Sequence, residues 1–149
     1  MVDATRTAFQ QIYSIELGLD LYERARERFA KFSHIKIVHG DSSVALGQIL
    51  DEVSQPALFW LDGHYSEGIT ARGDLETPIR RELELIFSHP INDHVVLIDD
   101  AREFSGERDY PTINEVRKMT ADLRPDWCFS VETDVIRIHK KIQRLEGAW

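Results

Sequence analysis

Short apolar runs and segments of helical periodicity alternate along most of this chain, and this alternation limits the folds open to it. The runs "QIYSIEL", "IKIVHGD", "ALFWLD" and "HVVLIDD" are rich in β-branched and aromatic residues, as strands are. The segments between them, such as "DLYERARERFAKF" and "SSVALGQILDEV", repeat apolar residues at helical spacing. Strands that alternate with helices predict a Rossmann-like, doubly wound and mainly parallel sheet in an α/β fold.

Capping signals and the end of the chain refine this prediction. Ser42 or Ser43 is placed to cap one helix, and another opens at Thr77 with Pro78 in its first turn. A further helix is expected over about 111–123. After it, "WCFSVET" and "VIRIHKK" follow each other almost directly, which predicts a C-terminal antiparallel hairpin.

Length and composition exclude several classes of protein. The 149 residues predict one domain, over 1–149. A net charge of -8, with no separate basic cluster, argues against nucleic acid as a partner. No apolar run approaches the length of a membrane span, so no membrane partner is expected. The single cysteine, Cys128, excludes an intrachain disulfide and fits a reducing, cytoplasmic setting.

Acidic residues stand at the ends of four predicted strands. They are Glu16, Asp41, Asp62 and the pair Asp99 and Asp100. In open parallel sheets ligands bind beyond the carboxyl ends of the strands, so the four positions together indicate a site, although each alone could cap a helix. Successive strand residues point to opposite faces, so the chain must turn or bend where the adjacent pair lies.

On these residues the sequence resembles the class I S-adenosylmethionine-dependent methyltransferases. The resemblance covers about residues 5–140 and rests on "YSIEL", "HGDS", "FWLDGHYSEG" and "VLIDDAREF", in the expected order, and on the terminal hairpin. Within the family it is nearest to the metal-dependent O-methyltransferases of small molecules, of the macrocin type. It implies S-adenosylmethionine as cofactor and a small-molecule acceptor.

The resemblance also implies roles for the strand-end acids. Glu16 would accept hydrogen bonds from both ribose hydroxyls of the cofactor, since a carboxylate has two oxygens to offer. Asp41 and Ser42 match the position near the adenine. The remaining three, Asp62, Asp99 and Asp100, match acids that hold a divalent cation; hard oxygen ligands suit Mg or Mn.

His64 departs from the nearest relatives, where an aspartate more often stands. An imidazole titrates near neutral pH, so His64 is a candidate catalytic base for a substrate hydroxyl. It could instead be a fourth metal ligand or a polar residue at the mouth of the loop "YSEGITARGDLE". That loop could contact the acceptor or be a surface loop only.

The resemblance places a glycine-rich loop and a first strand before Glu16, where this chain has too few residues for them. We therefore expect an incomplete, N-terminally truncated domain that binds the cofactor weakly by itself. Without the first strand, the strands ending at Glu16 and Asp62 must pair directly, splay apart, or take a strand from another molecule, which would make a homo-oligomer.

The leading functional hypothesis is an O-methyltransferase, or a fragment of one, that acts on a small-molecule hydroxyl. A magnesium-dependent phosphoryl-transfer or hydrolase domain is the first alternative, because acid pairs at strand ends also serve phosphate chemistry. A non-catalytic, degenerate methyltransferase-fold module is the second.

Overall fold

The structure, a computed structural model, describes residues 1–62 and 77–141, and these form two compact units. Among the described residues the first unit takes in 1–52 and 77–85, and the second takes in 53–62 and 86–141. The single-domain prediction stays a prediction, because compactness does not measure whether the two units unfold together.

Helices and strands follow each other in the predicted order. The helices are α1 (Val2–Thr5), α2 (Leu19–Phe29), α3 (Ser42–Glu52), α4 (Ile79–Ser88) and α5 (Ile113–Leu123). The strands are β1 (Ile12–Glu16), β2 (Ile35–His39), β3 (Leu58–Leu61), β4 (Val95–Ile98), β5 (Trp127–Glu132) and β6 (Val135–Lys140). No helix within the described ranges is long and apolar enough to cross a membrane.

The first unit is built on the parallel pair β1 and β2. Their register runs from Ile12 opposite Ile35 to Glu16 opposite His39, so both strands end at the same edge. The helices α2, α3 and the first half of α4 supply its buried apolar side chains, together with Ile35 of β2. The buried residues are Phe29, Ile35, Ala45, Leu46, Ile49, Leu50, Ile79 and Leu83.

Two helix starts test the capping predictions. At α3 the predicted serine cap is wrong, because Ser42 is already helical and Asp41 precedes it. The Asp41 carboxylate accepts a hydrogen bond of 2.8 Å from the Ser43 amide, which satisfies one of the free amides of the first turn. At α4 the threonine signal is confirmed, since the Thr77 hydroxyl accepts a hydrogen bond from the Ile79 amide at 3.3 Å.

The second unit is a four-stranded sheet in the order β3-β4-β6-β5. β3 and β4 are parallel, and β5 and β6 form the predicted antiparallel hairpin at the edge. Its turn places Thr133 and Asp134 at positive φ angles of 50° and 64°, the geometry that suits the twist of a two-residue hairpin. Val96, Ile136 and Ile138 are fully buried and form the centre of this unit's core.

The described strands therefore form two sheets where the sequence predicted one. The mixed α/β class and the parallel pairing of consecutive strands are confirmed. Of the three alternatives for the strands ending at Glu16 and Asp62, direct pairing is wrong: within residues 1–62 and 77–141 no hydrogen-bonded ladder joins β1 to β3.

Candidate functional site

Glu16 and Asp41 follow adjacent parallel strands in the first unit. The Gly40 amide donates a hydrogen bond of 3.0 Å to the Glu16 carbonyl, which extends the ladder to the residue before Asp41. Gly40 has a φ of +149°, a conformation that residues with a side chain rarely adopt. The turn after β2 thus brings two carboxylates to one edge, as the sequence predicted.

The Glu16 side chain is half-buried and held in place locally. One carboxylate oxygen, Oε1, accepts a hydrogen bond of 2.9 Å from the Gly18 amide. A Cβ at Gly18 would lie 3.3 Å from that same oxygen, so a larger residue there would crowd the carboxylate. This hydrogen bond uses one of the two carboxylate oxygens of Glu16.

Asp41 and Ser42 lie at the N-terminal end of α3, beyond the carboxyl end of β2. Both are half-buried. The capping bond from the Ser43 amide uses Oδ1 of Asp41 and fixes the side chain at this position. The Ser42 side chain hydrogen-bonds the carboxyl group of Glu82, a residue of α4.

Glu82 also lies near Asp41 and Ser42, and the sequence analysis did not single it out. Its side chain is buried, with 4% of its surface exposed, and among the described residues its Oε2 has no hydrogen-bond partner. Burial raises the pKa of Glu82 above its ordinary value, the hydrogen bond with Ser42 opposes that shift, and the nearby charge of Asp41 adds to it. We call Glu16, Asp41, Ser42 and Glu82 the carboxylate cluster.

In the second unit, Asp62 and Asp99 follow the paired ends of β3 and β4. Leu61 lies opposite Ile98, and the Asp99 amide donates a hydrogen bond of 3.0 Å to the Leu61 carbonyl. Asp62 is exposed, and Asp99 is half-buried. The parallel register places these two acids at one edge of the sheet, as expected.

The chain turns at Asp100, as the alternation of side chains along a strand requires. Asp100 adopts the left-handed conformation, with φ 55° and ψ 48°, and its amide donates to Oδ1 of Asp99 at 2.9 Å. Its carboxylate forms an ion pair of 2.7 Å with Arg102, which also contacts Asp134. The hydrogen bond with Asp134 and the charges of both acids raise the pKa of Arg102.

The three aspartates do not form a metal site as they lie. Among residues 1–62 and 77–141, no three His, Cys, Asp or Glu side chains are grouped so that they could hold a metal ion. A guanidinium already neutralises Asp100, and it would repel a dication. His64, the candidate base, lies outside the described residues.

No family model matches the chain. No curated protein matches it either.

Solved structures do match. A methyltransferase of Podospora anserina bound to S-adenosylhomocysteine (SAH) has a TM-score of 0.56 at 16% identity; the match covers 89% of this chain and 61% of that one. A Streptococcus mutans protein in complex with SAH, provisionally named a methyltransferase, has a TM-score of 0.54 at 13% identity over 88% of this chain and 76% of that one. A Clostridium thermocellum protein, provisionally named an rRNA methylase, has a TM-score of 0.53 at 7% identity over 88% and 75%.

These similarities concern backbone arrangement, since identities of 7 to 16% carry little information about individual residues. The chain spans about three fifths of the length of the Podospora protein and about three quarters of the other two. The chain shares the Rossmann-like fold of these proteins, two of which are bound to SAH.

Proposed function

We propose that this chain is part of an S-adenosylmethionine-dependent methyltransferase that acts on a small-molecule hydroxyl. The observation that carries the proposal is the pair Glu16 and Asp41 at adjacent strand ends, in a fold shared with two SAH-bound proteins. Ligands of open parallel sheets bind at such an edge.

The carboxylate cluster fits the polar groups of the cofactor. Glu16, held through Oε1 by the Gly18 amide, would accept hydrogen bonds from the two ribose hydroxyls. Asp41 and Ser42 would lie near the adenine, and the buried Oε2 of Glu82 is an acceptor in need of a donor. When bound, S-adenosylmethionine supplies an activated methyl group on its sulfonium. The residues of this chain would bind and orient it.

A small-molecule hydroxyl must lose a proton during methyl transfer, and we propose that His64 is the base that accepts it. Asp62, Asp99 and Asp100 do not fit a metal while Arg102 pairs with Asp100, so no step is assigned to a metal. Mg or Mn binding by these residues stays a prediction.

The experiment is a titration of the ¹⁵N-labelled chain with SAH and with S-adenosylmethionine, followed by amide chemical shifts. NMR detects binding even when it saturates only at millimolar ligand. We expect shifts at Gly18 and Gly40, next to the carboxylates. Glu16→Gln should weaken binding by about 10- to 150-fold, the scale of hydrogen bonds to a charged group of about 1.5–3 kcal/mol.

Glu52→Gln is the matched control. Glu52 is an exposed carboxylate of the same unit that accepts hydrogen bonds from Tyr13 and Lys36, away from the strand ends. Its loss should leave the affinity for SAH unchanged. Failure of SAH and S-adenosylmethionine to shift any amide of the wild-type chain would refute the proposal and favour the non-catalytic module. Equal loss of affinity in both variants would remove Glu16 from the site.

A further inference from the structure

The strand β2 is paired on one side only within the part of the chain that the structure describes. Its hydrogen bonds to β1 use even-numbered residues: the His34 carbonyl accepts from β1 at one end, and the Gly40 amide donates to Glu16 at the other. In a parallel ladder a residue turns both backbone groups to the same side, so the odd-numbered residues turn theirs away from β1. Ile37 and His39 therefore each present an amide and a carbonyl at the outer edge, and no described residue bonds to these groups.

A groove of about 590 Å³ runs along this edge, between β2 and α2. Its floor is apolar and consists of side chains from the end of α2, the turn after it and β2: Phe29, Phe32, Ile35 and Ile37. Phe29 and Ile35 are buried, whereas Phe32 and Ile37 are half-buried, so part of the floor faces solvent. An apolar groove beside an unpaired strand edge is the arrangement to which an extended peptide adds as a further strand.

The rim of the groove is acidic. Glu23 and Glu27 lie one turn apart on α2, and both are exposed and line the groove. Arg26 also lines it, but its guanidinium lies over the Tyr22 ring, 5.9 Å from the centroid. The Tyr22 ring contacts His39 at the end of β2, with the centroids 5.1 Å apart, so α2 runs back along the strand. Glu23 therefore lies toward the end of β2, and the apolar floor lies toward its start.

We propose that the outer edge of β2 binds an extended segment of another protein, which adds a strand and carries an apolar and a basic side chain two residues apart. The backbone of this segment would exchange hydrogen bonds with Ile37 and His39. Residues two apart in a strand point to the same face, so both side chains would face α2. The apolar side chain would lie against the floor of the groove, and the lysine or arginine would lie beside Glu23 and Glu27.

Charge favours such a partner over a second copy of this chain. Two copies joined in antiparallel fashion through β2 would place both α2 helices on the same side of the joined sheet, with Glu23 and Glu27 of each copy near the symmetry axis. Like charges that face each other in this way repel. The net charge of -8 also attracts a basic segment and repels another copy at a distance.

This inference does not depend on the proposed function, because no residue of the carboxylate cluster lines the groove. The test titrates the ¹⁵N-labelled chain with short, blocked peptides of serine and threonine that contain one isoleucine and one lysine two positions apart, in either order. We expect at least one of the two orders to shift the amides of Ile37 and His39 and to slow hydrogen exchange of the Ile37 amide. Glutamate in place of the lysine should weaken binding by about tenfold, since two attractions become repulsions.

Methylated peptides separate an added strand from adsorption on apolar side chains. An added strand bonds to its neighbour through every second residue only. N-methylation of one alternate set of peptide amides should therefore abolish binding, whereas methylation of the other set, which faces away from β2, should leave it measurable. Equal effects of the two sets would overturn the proposal.

Variants of the chain test the groove itself. Glu23→Gln with Glu27→Gln should weaken binding of the lysine peptide about three- to tenfold, the scale of two exposed ion pairs. Asp51→Asn with Glu84→Gln is the matched control, because it makes the same change of charge at exposed acids of the same unit outside the groove, and it should bind as the wild type does. Ile37→Pro removes the outward amide but no bond to β1 and should abolish binding, whereas Ile37→Val should retain most of it. If Ile37→Pro does not fold, the methylated peptides decide the question.

Sedimentation of the free wild type and of Ile37→Pro tests the other occupant. We expect no association of the wild type that the substitution removes. Association that is lost in Ile37→Pro would assign the edge to a second copy and overturn the proposal. The absence of any shift at Ile37 and His39 with both orders of the peptide at millimolar concentration would also overturn it.

Discussion

The stability of this protein should fall in mild acid because of one buried histidine, His94. Its side chain is completely buried, and its ring stacks edge-on against Phe59 with the centroids 5.1 Å apart. The Ala57 amide donates to Nδ1 at 3.0 Å, so that nitrogen carries no proton. Nε2 lies 2.9 Å from Nδ1 of His89 and must be the donor there. Both ring nitrogens are thus used by the neutral form, and a second proton on His94 would break the bond from Ala57.

The size of the effect follows from the pKa. Burial, together with the nearby His89 and Arg124, lowers the pKa of His94 from 6.5 to about 4, although Asp93 acts in the opposite direction. Below pH 6.5 the unfolded chain therefore binds a proton that the folded chain does not. The free energy of unfolding falls by about 1.4 kcal/mol per pH unit in this window, or about 2 kcal/mol between pH 8 and pH 5. The loss levels off below pH 4 at about 3 kcal/mol.

The assay is urea unfolding at pH 5, 6, 7 and 8, followed by tryptophan fluorescence, for the wild type and His94→Gln. Glutamine keeps an acceptor and a donor but does not titrate, so the variant should be less stable at pH 8 and should lose less on going to pH 5. The difference between the two pH dependences should be about 2 kcal/mol.

A buried variant without a titrating group serves as control. Thr120→Val removes a hydroxyl bonded to the Val116 carbonyl at 2.9 Å, so it should lower stability equally at every pH. Parallel pH curves for the wild type and His94→Gln would refute the reasoning, because His94 would then gain its proton at the same pH in both states.

Other features of the second unit give further predictions. Thr112→Ala breaks the reciprocal capping bonds between Thr112 and Glu115 and should lower the free energy of unfolding by about 1 kcal/mol in urea, whereas Thr112→Ser should retain most of it. Gly106→Ala should cost about 1–2 kcal/mol, because Gly106 has a φ of +88° and its Cβ would lie 3.0 Å from Thr112; no loss would mean that the turn can rearrange. If the three aspartates bind Mg or Mn, millimolar metal should raise the melting temperature of the wild type, more so in Arg102→Gln, which frees Asp100, and not in Asp62→Asn. If metal changes the melting temperature of neither the wild type nor Arg102→Gln, the metal hypothesis is contradicted.

The elements of the fold were predictable because their signals are local. The stripe of Ile79, Leu83 and Ile86 indicates a helix whichever neighbours it meets, and all three side chains are buried. The terminal hairpin has a turn of only two residues, Thr133 and Asp134, which leaves few other pairings. Division of the strands into two sheets was not predictable in this way, because pairing between strands far apart in the chain depends on what lies between them in space.

The strand-end acids were predictable for a similar reason, since parallel strands bring their carboxyl ends together. The roles of individual oxygens were not. Asp41 serves as the cap of α3. The sequence alone could not single it out, because Asp41, Ser42 and Ser43 are all favourable N-cap residues. Asp100 pairs with Arg102, two residues away, at the bend that the adjacent acids require. Such short-range competition for a carboxylate depends on the exact turn geometry, which composition and spacing leave open.

Glu82 shows where a sequence signal was present and was not used. The positions 79, 82, 83 and 86 recur at the spacing of one helix face, so Glu82 lies within the apolar stripe and its burial follows from its place in the pattern. A charged residue at a core position weakens the fold unless a partner or a ligand uses it. The buried Oε2 atom has no partner in the described residues, and Asp41, at the strand end, is near enough to raise the pKa of Glu82. An acid within an apolar stripe, next to a strand end, is therefore a stronger indication of a binding site than an exposed acid at the strand end itself, because only the former carries a free-energy penalty that a ligand can relieve.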